Sequence, residues 1–347
     1  EWNAYQISLF AVENGLFFIN FNKNLAKRTF SCYTFFMKLS LIVPCFNEAE
    51  VLPIFYGELN KTLNDLQNYE AEIIFVDDGS SDETLNIIKS FAESDGKVKY
   101  ISFSRNFGKE AAMLAGLKNS CGDFVAIMDA DMQDPPSLLP DMIKILESGE
   151  NDSVATRRAD RKGEPPIRSA CSKAFYKIIN KAGSSGVRSN ARDFRLMKRP
   201  MVNAVISMSE TNRFTKGIFG WVGFKTYWLS FDNAPRAAGK TKWNFKKLFD
   251  YSVTGIVNFS DAPIRAVLKI GAWLAGLSLI ALITFLVLRL CRVFYSTLWM
   301  LVAFGGLFCG ITVTCIGVIG IYVHTALCET KRRPPYIVLT SNLSDPK

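Results

Sequence analysis

Apolar and polar positions fall in blocks along the first half of the chain. LSLIVPCF (39–46) is a short apolar run closed by Asn47, the pattern of a strand buried on both faces. EIIFVDDGSSDET (72–84), KVKYISFSRN (97–106) and DFVAIMDAD (123–131) repeat it, each apolar run ending in charged or small polar residues. Between them, VLPIFYGELNKTLNDL (51–66), TLNIIKSFAES (84–94) and KEAAMLAGLKNS (109–120) carry apolar residues at helical spacing, with Ser81 or Asp82 placed to cap the second. Strands alternating with helices predict a doubly wound α/β sheet, which binds ligands beyond the carboxyl ends of its strands. The polar clusters NE, DDGSSD, SRNFGK and DADMQD fall at four such ends and point to one cleft.

Past residue 150 the pattern loosens, and two runs without charge follow, 270–288 and 293–323. A helix of about 20 residues crosses the hydrocarbon core of a bilayer, so two transmembrane helices are expected. WNFKKLFDYSVTGIVNFS (243–260) sets Trp243, Phe249, Val253, Ile256 and Val257 near one helical stripe. Directly ahead of the spans, it reads as a helix lying in the membrane interface, a soluble core helix being the alternative. The expected divisions are 37–242 for the α/β domain, 243–266 for interfacial helices, 267–327 for the two-helix membrane region and 328–347 for a tail. Residues 1–36 hold no Met and lack a signal-peptide order, and Met37 stands just before the first strand. They read as upstream or artefactual sequence, or else as an amphipathic N-terminal segment.

Charge adds one feature. The net charge is +9, and the stretch from Thr156 to Pro200 holds 13 Lys or Arg against 3 Asp or Glu, so this zone carries the whole excess. Nucleic acid, nucleotide phosphates, a lipid phosphate or an anionic membrane surface would each suit it; beside membrane spans the last three fit better. The 8 cysteines show no CxxC pair, and Cys45, Cys121, Cys291 and Cys309 lie in or beside apolar runs, as buried thiols of a reducing compartment would. A single histidine, His324, leaves no room for a His-centred triad or a His-ligated zinc site.

In FVAIMDADMQDPP (124–136), a buried strand runs into three carboxylates, which need a metal ion, a basic residue or a helix N-terminus as partner. A calcium loop counted from Asp129 would need Gly and Glu where Asp134 and Pro140 stand, so that reading fails. A hard divalent ion completed by substrate phosphate fits Asp129 and Asp131, while Asp134 ahead of Pro135-Pro136 also suits a helix cap.

VPCFNE (43–48), VDDGSSDET (76–84), SRNFGKEAA (104–112) and MDADMQDPP (128–136) together resemble family 2 glycosyltransferases of the GT-A fold. The likeness continues through RDFRLMKR (192–199), RFTKGIFGWVGF (213–224), RAAGKTKW (236–243) and KRRPPYIV (331–338). More narrowly it is similar to polyprenyl-phosphate glycosyltransferases related to dolichol-phosphate mannose synthase, including bacterial undecaprenyl-phosphate glucosyl and N-acetylglucosaminyl transferases. The resemblance implies Asp131 as metal ligand for Mg²⁺ or Mn²⁺, with Asp129 and Gln133 completing the metal and donor contacts. It implies Pro44, Phe46, Glu48 and Asp78 around the base and ribose of a nucleotide sugar, with Arg105 and Lys109 also on the donor. Arg192, Arg195, Arg213, Lys240 and Lys242 would handle the phosphates of donor and lipid acceptor, and Asp193 is the matched candidate base, with an orienting or electrostatic role equally open. It further implies inverting transfer from a UDP-sugar to polyprenyl phosphate at the cytoplasmic face of an integral membrane protein, and assembly as a homo-oligomer. Glucose and N-acetylglucosamine lead, with mannose from GDP as third choice. Among rivals, a processive polysaccharide synthase lacks its QxxRW motif and extra spans here; a membrane-anchored nucleotide-sugar-binding protein without turnover stays open. Nucleic-acid binding is not expected, because too few aromatics line the basic zone.

Overall fold

A computed structural model of the full chain describes residues 10–12, 15–17, 37–158, 191–208, 210, 213–231, 253, 262–291 and 298–344. The α/β domain begins with β1 (Met37–Cys45), α1 (Leu52–Asn64), β2 (Tyr69–Asp77), α2 (Thr84–Ser94), β3 (Val98–Phe103), α3 (Lys109–Asn119) and β4 (Phe124–Ile127). It continues with α4 (Leu139–Glu147), β5 (Ser153–Arg158), β6 (Ala191–Lys198), α5 (Arg199–Ser207), α6 (Thr215–Trp221) and β7 (Thr226–Phe231). Two long helices follow, α7 (Ala262–Leu290) and α8 (Leu298–Thr330), and then β8 (Val338–Ser341). A separate short ladder joins Phe10–Val12 to Gly15–Phe17.

The main sheet has eight strands in the order β8-β3-β2-β1-β4-β6-β5-β7. Its centre is parallel, as expected: β1 pairs with β2 and β4, and β2 with β3. The flanks make it mixed, because β6 runs antiparallel to β4 and β5, and β8 antiparallel to β3. The continuous apolar character of β1 follows from burial on both faces. Leu39, Leu41 and Val43 pack with Phe55, Leu59, Met142 and Leu146, while Ile42 faces Met113, Leu117, Val202 and Ile218. Helices α1, α2 and α4 therefore cover one face and α3, α5 and α6 the other. At Gly116, α3 lies so close to β1 that an added Cβ would stand 2.2 Å from Ile42 Cγ2.

Three local expectations change. The fourth strand ends at Ile127, and the acids leave the sheet in a turn where Met132 takes a φ of 60°. Successive carboxylates have no place between two hydrogen-bonded neighbours in a buried sheet. At the start of α2 the cap position falls on Glu83, which makes no side-chain cap bond; the Asp82 carboxylate just ahead of it accepts the N–H of Thr84 at 3.1 Å, so neither Ser81 nor Asp82 is the cap residue itself. Of the four cysteines expected to be buried, Cys45 is, whereas Cys121, Cys291 and Cys309 are exposed. The last two lie outward on or just beyond α7 and α8, where apolar sequence is not covered by protein.

Helices α7 and α8 run against each other, and their outward positions are large and apolar, including Trp273, Leu290, Leu301 and Phe308. Among the described residues, one stretch, Leu307–Thr330, is long and apolar enough to cross a membrane, with a mean hydropathy of 2.0 and none of its defining window buried. The expected interfacial helix at 243–260 lies outside the described residues, save Val253. The tail does not stand apart from the α/β domain, because β8 forms an edge strand of its sheet.

Candidate active site

The four polar clusters converge at the carboxyl ends of β1 to β4. After β1, Asn47 adopts a φ of 51° and is cross-tied to the loop after β2: its N–H donates to Ser80 Oγ at 2.9 Å and its Oδ1 accepts from Ser81 N at 2.8 Å. The neighbouring Glu48 N–H donates to Thr84 Oγ1 at 2.8 Å. Pro44, Phe46 and Glu48, the expected nucleotide cradle, are half-buried along this rim. The loop after β2 meets the loop after β3 at Gly79, whose φ is +67° and whose added Cβ would lie 2.4 Å from the Arg105 carbonyl carbon. Only glycine combines that conformation with that approach.

Asp78 is the buried link between these loops. Its carboxylate accepts the Phe107 N–H at 2.6 Å and the Gly108 N–H at 2.9 Å, fixing the turn ahead of α3. Arg105 lies over the Phe107 ring at 4.0 Å. Burial pushes the Asp78 carboxyl up to about 6, outweighing those two N–H bonds, which act to lower it. The folded value lies above the unfolded one of about 3.9, so folding favours the protonated form. The resulting stability is full below about pH 4 and is lost as pH rises through about 6, a change of roughly 2–3 kcal/mol. Melting temperature measured from pH 4 to pH 7 should therefore fall more steeply with pH for the native protein than for Asp78→Asn. Parallel curves would remove Asp78 as the source.

The centre of the cleft is a chain of alternating charges. Lys109, the first residue of α3, places its ammonium 2.6 Å from Asp129 and also bonds Asp193. Asp193, on β6, pairs on its other oxygen with Lys216 at 3.2 Å. Burial pushes the Asp193 carboxyl up, but Lys109 and Lys216 outweigh it and hold the carboxyl far below the usual carboxylate range. Burial likewise opposes the Lys109 charge, and Asp129 and Asp193 override it, keeping that ammonium charged well above the usual lysine range. Lys216 is brought in by Glu110, the residue after Lys109. The Glu110 carboxylate accepts the Thr215 N–H at 2.9 Å and the Thr215 hydroxyl, capping the N-terminus of α6. Neither Glu110 nor Lys216 is singled out by the sequence reading. The signal is the Thr-Lys pair inside RFTKG, legible only once α6 is known to start there.

Beside this chain, Asp131 accepts the Gln133 N–H at 3.1 Å. Asp134 is buried and pairs with Arg192 at 3.0 Å, and Arg192 also donates to Gln133 Oε1 at 3.2 Å. The expected capping role of Asp134 is not seen; the short helical turn Pro136–Leu138 has Pro135 at its cap position. Burial pushes the Asp134 carboxyl up to about 7, against the pull of Arg192, with Asp129, Asp131 and Asp193 adding to the rise. Its second oxygen is buried without a hydrogen-bond partner among the described residues.

Two expected phosphate-handling residues lie elsewhere. Arg195 is buried between Phe219 and Trp228, at 4.4 and 5.5 Å, and donates to Ser153 Oγ and Thr226 Oγ1. It shares the strand face of Asp193, but one step further from the cleft, where α6 covers it. Arg213 is buried with its guanidinium on the carbonyls of Val205 and Met208, satisfying the C-terminal end of α5. Lys240 and Lys242 lie outside the described residues.

For a divalent cation the donors at this site are all oxygen, as Mg²⁺ and Mn²⁺ require, and the Asp134 oxygen left without a hydrogen-bond partner adds an unsatisfied acceptor beside them. Among the described residues no three His, Cys, Asp or Glu side chains converge on one point. The set therefore fits an ion held by one or two carboxylates and completed by substrate oxygens.

The Glycosyl transferase family 2 domain matches residues 40–206. The chain is 40% identical over 309 residues to the putative glycosyltransferase CsbB of Bacillus subtilis, covering 88% of this chain and 92% of that protein. It is 40% identical to a prophage bactoprenol glucosyl transferase homolog of Escherichia coli, covering 87% and 98%, and 38% identical to the SfII prophage-derived bactoprenol glucosyl transferase of Shigella flexneri, covering 89% and 100%. The cleft just described lies inside the matched domain but for Thr215 and Lys216, and a match of 309 residues to a relative necessarily extends well beyond that domain. The chain belongs to glycosyl transferase family 2.

Proposed function

We propose that the protein transfers one sugar, glucose or N-acetylglucosamine, from a UDP-sugar to a polyprenyl phosphate at the cytoplasmic membrane surface, with inversion at the anomeric carbon. The observation that carries this reading is the alternating Asp129–Lys109–Asp193–Lys216 chain beside Asp131, at the strand ends of a family 2 domain. Relatives matched over nearly their full length and named for bactoprenol glucosyl transfer support the acceptor class.

In this reading a phosphate oxygen of the lipid forms the bond to the anomeric carbon as the bond to the diphosphate oxygen breaks, and the nucleoside diphosphate leaves with the electron pair. A phosphate monoester is largely dianionic near neutrality, its second pKa being about 6, so the nucleophile has no proton to lose. Catalysis then rests on positioning and charge. Arg105 and Lys109 lie on the donor side, and Arg192 holds Gln133 and Asp134 in place beside the leaving group. Asp131, with Asp129 and Gln133, would hold Mg²⁺ or Mn²⁺, which supplies charge neutralisation for the departing diphosphate.

Two membrane crossings belong to this reading. The strands β7 and β8 share one sheet, so a chain that leaves that side of a membrane between Phe231 and Val338 has to return to it. If Leu307–Thr330 makes one crossing, the apolar part of α7 is the candidate for its partner. Arg265, Lys269 and Lys331-Arg332-Arg333 flank the outer ends of this hairpin and favour a cytoplasmic domain, outnumbering Arg289 and Arg292 in the connection.

The direct test is transfer of radiolabel from UDP-glucose, UDP-N-acetylglucosamine and GDP-mannose to undecaprenyl phosphate in membranes carrying the protein, with Mg²⁺ or Mn²⁺ present. Labelled lipid from a single UDP donor is expected. Donor binding without transfer from any of the three would replace this reading with that of a binding protein.

A further inference from the structure

The KRRPPYIV motif at the end of α8 has no part in the chemistry above, yet its Tyr336 is buried 8% exposed in the α/β core. The Tyr336 ring stacks on Phe103 at 4.9 Å with 12° between planes. Phe103 meets Phe107 edge-on at 5.8 Å, and Arg105 lies over the Phe107 ring. Tyr336 also joins the apolar cluster that holds Ala111, Ala112 and Ala115, the inner face of α3. The backbone continues the contact. Ser104, first residue of the loop, donates to Ile337 O at 3.0 Å, and β8 pairs with β3 from Val338↔Phe103 to Ser341↔Ile101. Asn342 then clamps the strand, accepting from Tyr100 N at 2.7 Å and donating to Val98 O at 3.1 Å.

Resting on the donor-site reading above, we infer that the segment Tyr336–Leu343 is a positioning strap for the donor side of the cleft. Tyr336 supports, through Phe103 and Phe107, the loop 104–108 and the start of α3, and so the placement of Arg105 and Lys109. Asp78 holds that loop from the β2 side through the Phe107 and Gly108 N–H groups; the strap holds it from the β8 side. An edge strand of four residues is marginal alone, and the aromatic stack and the Asn342 clamp are what fix it. Four strands separate β8 from β6, which carries Asp193, so loss of the segment should weaken donor binding and leave the acceptor side alone.

The experiment uses full-length protein in detergent and compares the native chain with Tyr336→Ala, Tyr336→Phe, Asn342→Ala and the exposed-site control Leu339→Ala. Amide exchange in residues 104–109 should quicken about tenfold or more in Tyr336→Ala, and less in Asn342→Ala, which makes no core cavity. In the same variants the KM for the UDP-sugar should rise about tenfold with kcat and the lipid KM within about threefold of native. Tyr336→Phe, which keeps the stack, and Leu339→Ala should behave as the native protein does. Unchanged exchange in both Tyr336→Ala and Asn342→Ala would overturn the strap, as would faster exchange with an unchanged donor KM. If the native chain transfers no sugar while loop exchange still responds to Tyr336, the proposed function falls and the mechanical link stands.

Discussion

Replacing Lys109 with methionine is expected to cut sugar transfer about 10³-fold, an activation cost of roughly 4 kcal/mol. Methionine keeps the length and apolar stem of the side chain but deletes the ammonium that lies 2.6 Å from Asp129 and also bonds Asp193. Coulomb attraction at such distances is about 4 kcal/mol or more per contact in a surface-like dielectric. The net stability change is smaller, because the side chains of Lys109 and Asp129 are still 30% and 23% exposed and water regains both charges. Asp193 keeps Lys216 at 3.2 Å, whereas Asp129 loses the ammonium that steadies it. The expected result is a loss of a few degrees in melting temperature beside the large loss of transfer. Lys109→Arg should restore little, since a planar fork does not sit between two carboxylates as an ammonium does. In the proposed reading a divalent cation would draw on the same Asp129 oxygens as the ammonium, so Lys109→Met should also bind Mn²⁺ more tightly without donor, read by electron paramagnetic resonance. Transfer within about fivefold of native would remove Lys109 from the catalytic arrangement.

That arrangement was only half legible in the sequence. The strands β1 to β4 announce themselves, because a parallel sheet buried on both faces demands apolar runs and its ligand-binding ends demand polar ones. The acids of DADMQD and the basics of RDFRLMKR are visible for the same reason. Their pairing is not. Lys109 meets Asp193 across 84 positions, and nothing local to KEAA specifies it. RDFRLMKR reads as a uniform basic stretch, yet the fold separates its arginines: Arg192 supports Gln133 and Asp134, while Arg195 is closed under Phe219 and Trp228. The difference is set by where α6 lies over β6, a tertiary fact. Likewise, a four-residue strand after two prolines carries no periodicity strong enough to predict its pairing with β3, so the tail reads as a tail.

Asp193→Asn, which preserves size and shape, should lower transfer about 10²-fold and leave the shape of the pH profile unchanged. Two ammonium groups grip the Asp193 carboxylate and hold its carboxyl far below the usual range despite burial. A carboxylate that acidic is a weak proton acceptor, since the effectiveness of a general base falls with its pKa. The acceptor offers no proton to take above a phosphate pKa of about 6. Asp193 is therefore assigned to holding Lys109 and Lys216 at their spacing, and asparagine still accepts a hydrogen bond from one of them through its single oxygen while losing the other bond and the ionic part. The rate should rise with pH through about 6 in both proteins, following ionisation of the lipid phosphate rather than of Asp193. Were Asp193 the base that the family pattern suggests, Asn would cost about 10⁴-fold or more and the residual rate would lose its acidic limb. Kinetics at saturating donor from pH 5 to pH 8 separate the two outcomes, with melting temperature measured alongside: a collapse of the fold lowers the fraction of active enzyme at every pH, whereas loss of a base changes the form of the curve.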